Sequence, residues 1–154
     1  MAIRLSDALR THILETSSVE AALALGFLII YSGSQPASAN DAATGVRLAT
    51  IAVDDGAVGL TFDGIVSAGT LPKAVAETWS GTAAATGTAG YFRWNELVTD
   101  KAGTETAADT GGVSNIAMDG SIAVTGGDIN MSNVSVVTGA LQSVTVFNIV
   151  QPAG

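Results

Sequence analysis

The chain has no cysteine, one histidine, three prolines and six cationic side chains in 154 residues. Without cysteine there can be no disulfide, thiolate metal ligand or cysteine nucleophile, so the fold is held by its core, by contacts between copies, or by both. Six Lys and Arg against fourteen Asp and Glu leave a net charge of −8. No stretch gathers enough positive charge to neutralise a run of phosphates, which excludes direct nucleic-acid binding as a working expectation. The single histidine, His12, has no second imidazole at ligand spacing, and no G-x-S-x-G elbow presents a serine to it,. It is read as a surface or interface imidazole, and neither catalytic, metal nor cofactor residues are assigned. Charged residues make up only 13% of the chain. Solubility then rests on hydroxyls and exposed backbone, or neighbouring molecules cover part of the surface, so the composition points towards assembly.

What the chain does have is Ala, Val, Ile, Leu, Thr, Ser and eighteen glycines. This is the small-residue, turn-rich composition of a β protein, and the length suits one domain. The segment AALALGFLIIYSGSQPASAN (21–40) has an apolar run and an Ala37-Ser38-Ala39 stretch reminiscent of an export signal. Arg4 and Arg10 are balanced by Asp7, Glu15 and Glu20, however, so the positive flank of such a signal is missing,. The apolar run is also too short to cross a bilayer of about 30 Å. A structural reading is preferred. Leu5, Leu9 and Ile13 recur every four residues and mark the apolar stripe of a first short helix. Ser17 with Glu20 forms a capping box for a second helix over 18–25, stopped at Gly26 by a left-handed cap. Phe27–Ser32 is apolar at consecutive positions and is expected to be a strand covered on both faces.

Beyond Pro36 a polar stretch to Gly45 reads as a surface loop, followed by a strand over 46–53 closed by Asp54-Asp55-Gly56. Asp63-Gly64 marks a hairpin or bulge, and 74–81 and 90–99 read as strands. Asp100–Gly112 lacks large apolar residues and reads as a long exposed loop. Asp119-Gly120, Thr125-Gly126-Gly127-Asp128 and Thr138-Gly139 then punctuate Val/Ile-rich segments at intervals of about ten residues, the pattern of an antiparallel sandwich or jelly roll. The expected organisation is mainly β: a helical arm over 1–26 and a β-sandwich over 27–154, together one domain.

Tyr91, Phe92, Arg93 and Trp94 concentrate three of the eight aromatics in four positions. Alternation along a strand puts Phe92 and Trp94 on one face and Tyr91 and Arg93 on the other. Phe92 and Trp94, with Trp79 and Phe62, are expected to supply the aromatic core. Tyr91 and Arg93 are expected to face outward and, with Leu5, Leu9 and Ile13 on the arm, to form subunit contacts. Among the carboxylates, Glu77, Glu96, Asp100 and Glu105 are the nearest to a glycosidase pair, but no spacing singles out two of them. Asp54, Asp55, Asp63 and Asp128 beside glycines read as turn residues rather than calcium ligands, since none sits in an EF-hand pattern. GTAAATG lacks the Gly-Lys-Ser/Thr of a phosphate loop, and Asn133-Val134-Ser135 is a formal glycosylation sequon.

IYSGSQPASAN (30–40), TWSGTAAATGTAGYFRW (78–94) and DGSIAVTGGDINMSNVSVVTGALQSVTVFNIV (119–150), in this order, resemble a group of small virion proteins encoded in tailed-bacteriophage structural gene clusters. The shared pattern is an N-terminal helix, I-Y-S-G-x-Q-P, A-T-x-T-A-G-[WY]-F-R and a β-rich end with a D-G-[ST]-I turn; here Tyr91 stands at the [WY] position. The resemblance implies a non-enzymatic structural protein of the virion, made in the host cytoplasm. The expected role is a decoration (cement) protein on the outer capsid, with the major capsid protein and copies of itself as partners and no membrane association. A tail, collar or head-to-tail connector component is the alternative within this class. A carbohydrate-binding or adhesin module, using Tyr91, Trp79 and the 100–112 loop, is the alternative outside it.

Overall fold

The computed structural model describes residues 3–64, 68–95 and 117–150. Strand β1 (Arg4–Leu5) leads into helices α1 (Asp7–Glu15) and α2 (Val19–Leu23). Among the described residues ten strands follow: β2 (Phe27–Ser32), β3 (Arg47–Val53), β4 (Thr70–Pro72), β5 (Trp79–Thr82), β6 (Gly87–Asn95), β7 (Ala117–Ala123), β8 (Ile129–Asn130), β9 (Ser135–Val136), β10 (Leu141–Val144) and β11 (Asn148–Val150). The main sheet runs β1-β7-β6-β2-β3-β5-β10, with β8 beside β7 and β9 beside β6, while β4 and β11 form a separate two-stranded sheet. The protein is mainly β, with antiparallel sheets arranged as a sandwich-like domain and two short helices.

The helices begin where hydroxyls can cap them. Ser6 accepts from the Leu9 amide at the start of α1, and the same oxygen accepts from the Ala117 amide of β7. One buried hydroxyl thus satisfies a helix end and anchors it to the sheet. The second cap is Ser18, which accepts from Ala21, and not Ser17, whose hydroxyl lies 3.0 Å from His12 Nε2. The left-handed residue after α2 is Leu25, at φ 62°. Gly26 is small for another reason: a Cβ there would lie 2.2 Å from Trp94 Nε1.

The expected arm is part of the domain. Leu9 is fully buried in the main core, and Leu5 and Ile13 pack against that core. An apolar stripe on a short helix is buried by the nearest available surface, which here is the chain's own sheet.

β2 lies between β6 and β3, and its consecutive apolar residues feed two cores as a doubly covered strand should,. Leu28 and Ile30 join the larger cluster, and Phe27, Ile29 and Tyr31 the smaller one on the other face. In the larger core Phe62 stacks on Trp94 with centroids 5.0 Å apart, and Trp79 lies 5.4 Å from Trp94. Phe92 meets Phe147 edge-on at 5.6 Å. All four aromatics expected in the core are there, joined by Phe147.

Asp119-Gly120 is not a turn but the centre of β7. Gly120 faces Phe92 across the ladder, and a Cβ would meet the ring at 2.6 Å. Asp54 and Asp55 do form the expected turn after β3. Both have positive φ, and the Gly56 amide donates to Val53 O, as in a type I′ hairpin turn,. β8 runs parallel to β7 although only residues 124–128 connect them. Such a short crossover is unusual. The Asp128 carboxylate fastens it by accepting from both the amide and the hydroxyl of Ser121 at 2.8 Å.

Candidate functional site

Alternation along β6 divides its aromatics as expected, but Tyr91 and Arg93 do not reach the surface. Tyr91 is 0% and Arg93 2% exposed. The covering element is the segment 33–46 between β2 and β3, which crosses this face of the sheet as a strap. Tyr91 stacks on its register partner Tyr31 with centroids 5.1 Å apart and planes at 12°. Its hydroxyl donates to the Thr44 carbonyl at 2.6 Å and accepts from the Thr44 amide at 2.8 Å. Arg93 donates to the Asp41 carbonyl at 2.8 Å and pairs with the Asp119 carboxylate at 3.2 Å. Gln35 donates to the other carboxylate oxygen of Asp119.

The strap is also tied to the N-terminal elements. Arg4 donates to the Pro36 carbonyl, and the Asp7 amide donates to the Asn40 side chain. Buried charges and amphipathic side chains need partners, and a strap of mostly small residues supplies main-chain carbonyls and amides at close range,. The Tyr91/Arg93 face therefore holds the chain to itself. These two residues, with Leu5, Leu9 and Ile13, were the expected subunit contacts. Tyr91, Arg93 and Leu9 are buried inside the single chain, while Leu5 and Ile13 are partly buried against its core.

Glu77, Asp55, Asp63 and Asp128 have local structural partners. Glu77 accepts from the Trp79 indole at 2.7 Å and from the amide and hydroxyl of Thr61. Lys73 lies 5.3 Å from the Trp79 ring centroid and donates to the Glu77 carbonyl. Asp55 accepts from the amide and hydroxyl of Thr82, and Asp63 accepts from the Val75 amide. Among the described residues no group of three or more His, Asp or Glu side chains is placed to hold a metal ion. Glu96, Asp100, Glu105 and the 100–112 loop lie outside the described residues. Asn133, of the sequon, accepts from the Ser135 amide.

The surface feature that residue-by-residue motif reading misses lies in the C-terminal stretch of the chain. A groove of about 720 Å³ runs between residues 128–133 and residues 141–148. Amide and hydroxyl side chains line it, including Asn130, Gln142, Ser143 and Asn148, and the edge strand β10 forms one wall. Leu141 and Val146 in its lining are more than half exposed, as are Val137 and Val150 elsewhere in the same C-terminal stretch. A signal for this region is present in the sequence: from Ile129 to Gly154 no side chain is charged.

Among the described residues no helix is long and apolar enough to cross a membrane. Comparison with family models, curated proteins and solved structures found no match to the chain.

Proposed function

We propose that the chain is a non-enzymatic structural subunit of a tailed-phage particle, and that it serves as a decoration protein bridging major capsid subunits on the outer shell. The phage assignment is supported by the ordered resemblance of residues 30–40, 78–94 and 119–150 to small virion proteins. The observation that carries the assembly role is the uncharged, partly apolar surface of residues 129–150, on a chain whose net charge is −8. Exposed apolar side chains beside one another, as Leu141 and Val146 are at the groove, mark interaction surfaces rather than solvated ones,. Many weak contacts repeated by symmetry hold a shell firmly even where each is weak alone.

The adhesin alternative loses the two aromatic rings it was expected to use, because Trp79 and Tyr91 are buried, while its 100–112 loop lies outside the described residues. Cryo-electron microscopy of purified particles tests the proposal. Regular density for this chain at three-fold or quasi-three-fold capsid positions is the expected result. Density confined to the tail axis or collar would replace decoration with a tail or connector role, and absence from particles would overturn the virion reading.

A further inference from the structure

The two ends of the main sheet are built differently. At one end β1 is two residues long and carries the exposed Arg4, which is tied to the strap. Short, charged edges are a common way for a sheet to avoid pairing with a stranger. At the other end β10 spans four residues in unbroken register with β5, its only partner strand among the described residues. It contains no charge, no proline and no bulge. Val144 points into the core, while Leu141 and Ser143 are exposed on the opposite face.

Charge selects the occupant. The −8 net charge of the chain lies wholly within residues 1–128, so two copies meeting through other surfaces bring carboxylates towards one another,. β10 itself carries no charge, and the carboxylates beside it, Asp55 and Asp128, are held by Thr82 and Ser121. An antiparallel pairing about a two-fold axis is also self-complementary, because each edge offers the same alternating amides and carbonyls to the other.

Resting on the reading of the chain as an assembly subunit, we propose that β10 pairs with β10 of a second copy, joining two main sheets into one, with Leu141 and Val146 packed at the join. A four-residue edge buries well below the ~1,600 Å² of a standard interface, so the contact is weak in solution and is reinforced where a particle holds copies side by side.

Sedimentation velocity and hydrogen exchange on the full chain test this. The wild-type protein is expected to dimerise reversibly with a Kd between about 1 µM and 1 mM, with protection of β10 amides rising with concentration. Leu141→Glu, at a site 62% exposed, should weaken the dimer at least about tenfold, about 1.4 kcal/mol, with an unchanged circular dichroism spectrum,. Leu14→Glu, on the exposed side of α1, should leave it unchanged. A wild-type chain that stays monomeric up to about 1 mM, or a dimer indifferent to Leu141→Glu, overturns the pairing. Either result leaves attachment to particles open, whereas a β10 dimer absent from particles would defeat the virion reading and keep the pairing.

Discussion

Arg93 and Asp119 are register partners across the β6–β7 ladder, and their side chains meet at 3.2 Å with 2% and 0% exposure. Breaking a buried ion pair from one side strands the remaining charge, at a cost of about 3–5 kcal/mol. Asp119→Ala should therefore lose stability in this range by urea unfolding. The double variant Arg93→Met/Asp119→Leu should lose much less than the two single changes added together. If Asp119→Ala unfolds within about 1 kcal/mol of wild type, the pair does not hold the strap.

Tyr91→Phe keeps the stack on Tyr31 and removes only the hydroxyl that bonds Thr44 twice. A loss of about 1–3 kcal/mol is expected, since the Thr44 amide and carbonyl lose their shared partner. Exchange of the Thr44 amide should speed up more than that of β2 amides. Equal acceleration in both would mean that the strap does not open on its own.

Gly120→Ala should destabilise the domain by about 1–3 kcal/mol through overpacking, since the new methyl meets the Phe92 ring,. Adding Phe92→Leu makes room and should recover part of the loss. Thermal melts of the two variants decide the matter, and no recovery would place the strain elsewhere.

Leu9→Ala removes a fully buried side chain from the seam between α1 and the sheet and is expected to cost about 2–5 kcal/mol,. Deleting residues 1–15 should be more severe still, because it also removes Ser6 from Ala117 and β1 from β7. A truncated chain with wild-type unfolding would restore the detachable arm that the sequence suggests.

Strong alternation and long apolar runs made parts of this fold legible. The doubly buried β2, the Phe92/Trp94 core face and the Asp54-Asp55 turn all follow from local pattern. The destination of Tyr91 and Arg93 does not, because segment 33–46 covers them with mostly small residues that have no periodicity. Asp119-Gly120 carries turn chemistry by composition, yet its carboxylate pairs with Arg93 and its glycine makes room for Phe92, both partners being distant in sequence. The apolar stripe of α1 was visible, but not which surface would bury it. At the β10 edge, reading motifs for what they contain passed over a run defined by the charges it lacks.

The hydroxyl that caps α1 is bonded to an amide 111 positions further along the chain. Ribosomes add about 5–20 residues per second, so roughly 6–22 s separate the synthesis of Ser6 from that of its partner. Throughout that interval the stripe of α1 has no β7 to rest on and is a target for a chaperone. The N-terminal elements emerge first and are among the last to dock, so the newly made chain becomes assembly-competent only late in its own synthesis.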